Sequence, residues 1–345
     1  VYLYARDGYE REMIYQNDEG YDLQAVSPDL RYLALVKSRT TNDNDLYLFD
    51  RQGEKLTHLT PHEGDVSHEA EAFTIDGDGL YYLTDRDSEF KYLASYDLAT
   101  GESKKLVQPN WDVWYATPSK SGKHLVVGIN NDARTEIQIY GSASMELLDL
   151  ADFPVGDIRQ VRVSPDESTL SFYVSSGQRP GDLFVATIGD GEPRQLTRSL
   201  PANIEADDLV EGRVVRFASY DGVEVPGVFY KPHQVDADSP APALVWVHGG
   251  PGGQSRLGYS GLIQYLDNHG YVVYAINNRG STGEGKTFYS LDDRKHGEAD
   301  LGDCVASKQM LIDTGHVDPD RIGILGGSYG GYMVLAALTL TPEEF

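Results

Sequence analysis

The chain has 345 residues and a mass of 38.1 kDa, a length that predicts two domains, or one large one, with enough chain to bury a core. Its 54 acidic and 29 basic residues give a net charge of −25 and a pI near 4.6, which argue against nucleic acid or an anionic membrane as the main partner. The composition, with 40% hydrophobic residues, 23 Tyr and 36 Gly, excludes a collagen, a coiled coil and a disordered chain, and favours a globular fold rich in strands.

The two ends of the sequence lack the usual signals. The chain begins at Val1, inside a strand-like run, and stops at Phe345, just after a helix pattern, with no initiator Met and no signal peptide. We therefore expect a fragment that lacks both ends of its parent protein. No apolar run approaches the length of a membrane span, so a soluble chain is expected. The compartment is left open, with the cytoplasm favoured slightly over a periplasmic or secreted location because the true N-terminus is expected to be missing.

A turn followed by a strand recurs in the first two hundred residues, starting at residues 27, 74, 119 and 164. The first copy, Ser27-Pro28-Asp29, leads into the apolar run Tyr32–Val36, and the fourth copy leads into Leu170–Val174. Further strands and Gly/Asp turns complete each unit. A period in the mid-forties predicts four-stranded blades of a β-propeller. We expect about four whole blades plus the remnant of an earlier blade near Tyr4, with an unrelated antiparallel sandwich as the alternative.

Three histidines, His58, His62 and His68, lie near glutamates between the first two repeats and could suggest a metal cluster. They lack a helical HExxH pattern, so we interpret the segment as a solvated connector. The single cysteine, Cys304, excludes an internal disulfide and a Cys-based metal site, and we expect it to be buried and inert. No metal and no cofactor are predicted.

The repeat stops after Thr197, and alternating strand and helix signals follow. They predict a propeller domain over residues 1–199, a linker over 200–212 and an α/β domain over 213–345. The predicted strands of the α/β domain are 214–217, 223–230, 243–247, 271–276 and 321–325. Its predicted helices are 260–268, 300–314 and 332–340.

The sequence Gly326-Gly327-Ser328-Tyr329-Gly330-Gly331 lies between a predicted strand and an apolar helix. A GxSxG motif in this context predicts a nucleophile elbow, in which Gly326 and Gly330 allow strand and helix to approach closely while a sharp turn exposes the Ser328 hydroxyl. The helix N-terminus adds positive potential and free N–H groups beside that oxygen. The alternative is a Gly-rich turn without function.

A second glycine-rich loop, His248-Gly249-Gly250-Pro251-Gly252-Gly253, directly follows the strand 243–247. Such a loop supplies the second N–H group of an oxyanion hole in this class of hydrolase. The N–H groups of Gly250 and Tyr329 are the candidate pair. His248 precedes the nucleophile, whereas the catalytic His of this fold follows it, so we predict a loop-shaping or substrate-contacting role for His248.

Together these motifs resemble those of the prolyl oligopeptidase family of serine peptidases, and within it most closely the acylaminoacyl-peptidase branch. The residues that carry the resemblance are HGGPGG at 248–253, NNRGSTGEG at 277–285, DPDRIG at 318–323 and GGSYGGYM at 326–333. The resemblance implies a β-propeller, here partial, followed by the N-terminal portion of an α/β-hydrolase domain.

The resemblance also implies roles. Ser328 would be the nucleophile of a serine hydrolase that cleaves short peptides through an acyl-enzyme, and the propeller would act as a size filter. Gly250 and Tyr329 would hold the oxyanion. Arg279 is interpreted as structural, with substrate contact as the alternative. No nucleic-acid partner is expected, and oligomerisation is left open.

One departure from the family pattern is plain in the sequence. The seventeen residues after Ser328 contain neither His nor Asp, so this chain does not complete a catalytic triad. We expect the triad Asp and His in the parent protein beyond Phe345. Two alternatives stay open: an esterase that uses the same nucleophile, and a propeller binding scaffold with a catalytically incomplete hydrolase domain.

Overall fold

The structure is a computed structural model that describes residues 1–189 and 191–345. Up to Gln195 it consists of sheets in which each strand pairs with its neighbour along the chain. A two-stranded sheet comes first, with antiparallel strands β1 (Tyr2–Tyr4) and β2 (Arg11–Met13). The next two sheets have four strands each, β3 (Asp22–Val26), β4 (Tyr32–Ser38), β5 (Asn44–Asp50) and β6 (Lys55–His58), then β7 (His68–Phe73), β8 (Gly79–Thr84), β9 (Tyr92–Asp97) and β10 (Ser103–Val107).

The following two sheets continue the pattern. One has three strands, β11 (Val113–Pro118), β12 (His124–Asn131) and β13 (Arg134–Gly141). A single antiparallel bridge between Tyr140 and Leu147 stands where a fourth strand would pair. The other has four strands, β14 (Asp157–Val163), β15 (Thr169–Ser176), β16 (Arg179–Thr187) and β17 (Arg194–Gln195). The predicted succession of about four blades is confirmed, with the third blade shorter by one strand.

The repeat in the sequence corresponds to a repeat in side-chain chemistry. In three of the four turns a hydroxyl donates to the Asp two residues later, with oxygen–oxygen distances of 2.5 to 2.6 Å; the pairs are Ser27–Asp29, Thr74–Asp76 and Ser164–Asp166. Six residues after each turn begins, a leucine is at most 1% exposed, at positions 33, 80, 125 and 170. The turn residues therefore start each strand, and one buried leucine per repeat anchors it in the core.

A five-stranded mixed sheet begins at Arg213. Its strands are β18 (Arg213–Ala218), β19 (Glu224–Tyr230), β20 (Ala241–Val247), β21 (Val272–Ile276) and β22 (Val317–Gly326), in the spatial order β18-β19-β21-β20-β22. The first two pairs in this order are antiparallel, while β20 runs parallel to both β21 and β22. All five strands match predicted strands, and β20 and β21 are largely apolar, as expected for strands covered on both faces.

Helices connect these strands. They are α1 (Gly261–Asn268), α2 (Lys286–Tyr289), α3 (Ala299–Asp313) and α4 (Tyr329–Leu340), and short 3₁₀ turns occupy Ala206–Asp208 and Ser290–Asp292. The three longer helices match the prediction, whereas α2 and the 3₁₀ turns have no periodicity long enough to predict. No helix in the described part of the chain has the length and apolar character needed to cross a membrane.

The described residues separate into two compact units. The first contains Val1–Ile129, Ile137–Asp149 and Val163–Ser168, and the second contains Asn130–Glu136, Leu150–Arg162 and Thr169–Phe345. The change of sheet type after Gln195 is compatible with the predicted boundary at residues 200–212, and the domain limits stay a prediction. Within the second unit that segment is held in place, because Leu209 and Val210 are buried and the Val210 N–H donates to Gln264 Oε1 (2.8 Å).

Asp267, on α1, is a buried carboxyl group inside the second unit. Its side chain is 1% exposed, and within residues 1–189 and 191–345 neither carboxyl oxygen has a hydrogen-bond partner. Burial raises the pKa of Asp267 to about 8, because the ionised form loses its hydration without compensation.

We expect Asp267→Asn to stabilise the protein increasingly as the pH rises from 5 to 8. Over this range the folded protein keeps Asp267 protonated while the unfolded chain ionises it, so ionisation favours unfolding by up to about 1.4 kcal/mol per pH unit, and asparagine removes this effect. Urea unfolding at both pH values measures the difference, with the exposed Asp313→Asn on α3 as control. An equal effect of Asp267→Asn at pH 5 and pH 8 would contradict the prediction.

Candidate active site

Three loops meet at one edge of the mixed sheet because the three parallel strands end at the same level. In the register of the sheet, Val247 at the end of β20 pairs with Ile276 at the end of β21 and with Gly326 at the end of β22. The residues after these strands therefore emerge side by side. They are the loops that the sequence singles out, beginning at His248, Asn277 and Gly327.

Ser328 lies in the turn between β22 and α4. Its backbone angles are φ 55° and ψ −121°, a conformation that residues other than glycine adopt at a cost. A Cβ atom on Gly326 would lie 2.5 Å from the Gly330 carbonyl carbon, and one on Gly330 would overlap the Val247 carbonyl oxygen. The close approach of strand and helix thus requires both glycines, and the N-terminus of α4 begins directly after Ser328.

The glycine loop after β20 contacts this turn. A Cβ atom on Gly249 would lie 3.3 Å from Ser328 Cβ and 3.7 Å from Ser328 Oγ, so the Gly249 backbone lies against the serine. Gly250 has φ 140°, and a Cβ atom there would lie 2.5 Å from the Gly253 nitrogen. Gly249 therefore allows the loop to reach Ser328, and Gly250 allows the loop to fold back on itself. The N–H of Gly250 as an oxyanion donor stays a prediction.

His248 is bonded within these loops. Its Nε2 lies 2.8 Å from Ser281 Oγ, and its Nδ1 lies 2.8 Å from the Gly249 carbonyl oxygen. The Ser281 hydroxyl in turn donates to the Asn278 carbonyl (2.6 Å). Burial lowers the pKa of His248, and the hydrogen bond to Gly249 opposes this effect only in part. These contacts support the loop-shaping interpretation of His248.

The loop after β21 holds the glycine loop from the other side. Asn277 accepts from the Ser255 N–H (2.6 Å) and donates to the Ser255 carbonyl (3.0 Å), and the Thr282 N–H donates to the Gly253 carbonyl (3.1 Å). Together with the bond between His248 and Ser281, these contacts join the motif at 277–285 to both ends of the glycine loop. Within this motif the sequence predicted a role for Arg279 alone.

Arg279, in the same motif, is buried among carboxylates. It donates to Asp303 from its backbone N–H (2.8 Å), Nε (3.0 Å) and Nη2 (2.7 Å), and to Asp221 from Nη1 (2.8 Å) and Nη2 (3.0 Å). Burial alone would lower the pKa of Arg279, but the two carboxylates raise it, and the hydrogen bond from Arg279 lowers the pKa of Asp221 to about 2. These contacts support a structural role for Arg279.

Two site residues, Asp300 and Asp303, were missed by sequence reasoning. Both are fully buried on α3, where Asp300, Cys304, Ser307 and Leu311 form one buried stripe. Asp303 holds Arg279 and accepts from the Ser219 hydroxyl (2.6 Å), while Asp300 accepts from the Tyr329 hydroxyl. Polar residues on the buried face of α3 hide this face from the hydrophobic pattern, although a buried carboxylate requires a partner.

The sequence places three histidines, His58, His62 and His68, between the first two blades. Among the described residues, no three His, Cys, Asp or Glu side chains are arranged to hold a metal ion. The prediction of a solvated connector is nevertheless wrong for two of them. His68 is buried in β7, and the nearly buried His62 bonds to Asp43 (2.8 Å) and Asp45 (3.1 Å). Asp43 and Asp45, just before β5 and on it, let His62 enter the core, whereas the Nδ1 atom of His68 lies 2.9 Å from the carbonyl oxygen of Asn44. Histidine positions alone do not reveal these partners.

Comparison with known families gives two matches along the chain. Residues 10–199 match the "Prolyl oligopeptidase, N-terminal beta-propeller domain", and residues 258–345 match the "Prolyl oligopeptidase family". A curated relative, dipeptidyl aminopeptidase BIII of Pseudoxanthomonas mexicana, is 30% identical over 83% of this chain and 42% of its own length. The acylamino-acid-releasing enzyme of Arabidopsis thaliana is 36% identical over 30% of this chain and 14% of its own length.

The solved structure of a puromycin-hydrolyzing peptidase from Mycobacterium tuberculosis has the same fold. It superimposes with a TM-score of 0.83 at 22% identity, over 98% of this chain and 53% of that chain. This chain thus spans about half the length of the dipeptidyl aminopeptidase and of the puromycin-hydrolyzing peptidase. The predicted fold class, propeller blades followed by an α/β-hydrolase domain, is confirmed.

Proposed function

We propose that this chain, which belongs to the prolyl oligopeptidase family, is part of a serine peptidase. Its nucleophile is Ser328, and its substrates are short peptides. The observation that carries the proposal is the conformation of Ser328, held at φ 55° between β22 and α4 with the glycine loop beside its Oγ. Strained turns of this kind cost energy and cluster at active sites, where they expose a reactive side chain.

The arrangement supports acyl transfer. Ser328 Oγ attacks the peptide carbonyl carbon, and the carbonyl oxygen gains negative charge as the tetrahedral intermediate forms. The N–H groups of Tyr329 and Gly250, with the positive end of the α4 dipole, would stabilise that charge. Collapse of the intermediate expels the amine, which takes up the proton that a base removed from Ser328. Water then attacks the acyl-enzyme, which releases the carboxylic acid and returns a proton to Ser328.

The base that accepts the Ser328 proton is assigned to no residue named above. His248 is a poor candidate, because both of its ring nitrogens are bonded to loop groups, Ser281 and Gly249. Its task in the proposal is to hold the glycine loop against the serine.

Peptide substrates are supported by the relatives. Two of them are named for acting as peptidases, a dipeptidyl aminopeptidase and a puromycin-hydrolyzing peptidase, and the match over residues 10–199 is to the propeller domain that would limit access to short peptides.

Substrate comparison tests the proposal in the full-length protein. We expect hydrolysis of short N-acylated peptide anilides, with kcat/KM at least comparable to that for simple aryl esters such as p-nitrophenyl acetate, together with covalent labelling of Ser328 by a fluorophosphonate. Turnover of esters alone would show an esterase. If the protein neither hydrolyses these substrates nor becomes labelled, it is a binding scaffold with an inactive hydrolase domain.

A further inference from the structure

Tyr329 carries the peptide N–H that follows the nucleophile, so the direction of that N–H depends on the turn at Ser328. Because φ 55° and ψ −121° lie outside the preferred backbone regions, the turn does not hold itself in place. Tertiary contacts must determine where the Tyr329 N–H points. The contacts of the Tyr329 side chain are the nearest ones that can fix the position of its own backbone N–H.

That side chain is held at its tip. The Tyr329 hydroxyl donates to Asp300 Oδ2. Its ring makes a tilted contact with the Tyr332 ring, with centroids 5.3 Å apart, and an edge contact with the His296 ring at 5.7 Å. The ring is therefore confined laterally by two aromatic rings and longitudinally by one hydrogen bond.

Asp300 is a rigid acceptor. It is fully buried, and its Oδ1 accepts from the N–H groups of Gly297 (2.7 Å) and Leu301 (2.9 Å). These two hydrogen bonds prevent rotation of the carboxylate, so the position of Oδ2, which accepts from the Tyr329 hydroxyl, is fixed. Asp300 also lies in the first turn of α3, where the helix dipole stabilises a negative charge.

The hydroxyl is a permanent donor to this carboxylate. Burial raises the pKa of Tyr329, and the hydrogen bond to Asp300 raises it further, so the phenol keeps its proton throughout the working range of pH. The neighbouring buried carboxylate, Asp303, does not share this task, because it is occupied by Arg279 and Ser219.

We infer that Asp300 is a positioning residue that aims the Tyr329 N–H at the substrate oxyanion by holding the Tyr329 hydroxyl. This inference rests on the proposed peptidase function and assigns no contact between Asp300 and the substrate. A misplaced Tyr329 N–H would weaken binding of the ground-state carbonyl only slightly, whereas it would strongly weaken stabilisation of the tetrahedral oxyanion.

A pair of matched variants tests the inference in the full-length protein. Tyr329→Phe removes only the hydroxyl that Asp300 holds, and Tyr332→Phe removes a neighbouring hydroxyl that donates to the His296 carbonyl (3.1 Å). We expect Tyr329→Phe to lower kcat roughly 10-fold with KM within about twofold, because small misplacement of a donor has effects of this order or larger, and Tyr332→Phe to change neither. The affinity for a peptide aldehyde, which forms a tetrahedral adduct with the serine, should fall in parallel with kcat.

Variants of Asp300 complete the test. Asp300→Ala should reduce kcat at least as much as Tyr329→Phe, and Asp300→Asn, which keeps a polar partner for the hydroxyl, should restore part of the loss. Equal kcat and aldehyde affinity in Tyr329→Phe, Tyr332→Phe and the unsubstituted protein would overturn the inference while leaving the peptidase proposal intact. If the unsubstituted protein does not hydrolyse peptides, the proposed peptidase function is wrong, and the inference about Asp300 falls with it.

Discussion

Ser328→Ala is expected to reduce peptide hydrolysis by roughly 10⁵-fold or more while leaving the protein folded. Loss of a serine nucleophile removes the covalent route altogether, and what remains is the stabilisation by the oxyanion donors and by binding. Alanine fits the turn, because the glycines on either side provide the space and Ser328 already tolerates φ 55° with a Cβ atom. Initial rates with an acylated peptide anilide measure the effect.

The control for this experiment is Ser239→Ala, an exposed serine in the loop before β20, which should retain full activity. Thermal unfolding and circular dichroism of Ser328→Ala should match those of the unsubstituted protein. Substantial peptide turnover by a folded Ser328→Ala protein would show that another group is the nucleophile, and the proposed mechanism would then be wrong.

Arg279→Leu is expected to destabilise the second unit by about 3–5 kcal/mol, which is the cost of leaving a buried carboxylate without its partner. Asp303 is fully buried and would lose the two hydrogen bonds from the Arg279 Nε and Nη2 atoms, while the bond from the backbone N–H of residue 279 remains. Arg279→Lys should recover little, because one ammonium group does not span both carboxylates. Urea unfolding, with hydrogen exchange of peptides covering α3 and residues 277–285, measures the loss.

Asp221→Asn is the matched control, since Asp221 is the outer partner of Arg279 and its side chain is 38% exposed. Solvent screens this pair, so the expected loss is about 1 kcal/mol or less. The two interpretations of Arg279 differ in their kinetics. If Arg279 contacted the substrate, Arg279→Leu would raise KM in a protein of unchanged stability, and the structural interpretation would be wrong.

The blades and the elbow could be predicted because their causes are local. A Ser or Thr followed two residues later by Asp closes its own turn, and a leucine at one position of each repeat marks the buried strand. The glycines around Ser328 likewise act on residues within a few positions along the chain. Such local causes produce a fixed spacing of residue types in the sequence. The repeat therefore predicted the architecture, and the GxSxG motif predicted the candidate nucleophile.

The supports of the site could not be predicted in this way. His248 bonds to Ser281 across 33 residues, Tyr329 to Asp300 across 29, and Arg279 to Asp221 across 58. The first and third pairs depend on which strands are neighbours in the sheet and on their register, and the second depends on the positions of α3 and α4. His62 shows the same limit, because its burial depends on Asp43 and Asp45, which lie just before β5 and on it.

By itself, then, the sequence determined the succession of blades, the βα rhythm that follows and the identity of the candidate nucleophile, since short-range turn chemistry and periodicity encode all three. Only the tertiary structure decided that Gly249 lies against Ser328, that Arg279 is occupied by two aspartates and that Asp300 holds Tyr329. The reason for the first two is the order of the sheet, in which β20 lies beside β22 and β21 beside β19, so that loops distant along the chain meet. The third depends on the positions of α3 and α4, which carry Asp300 and Tyr329.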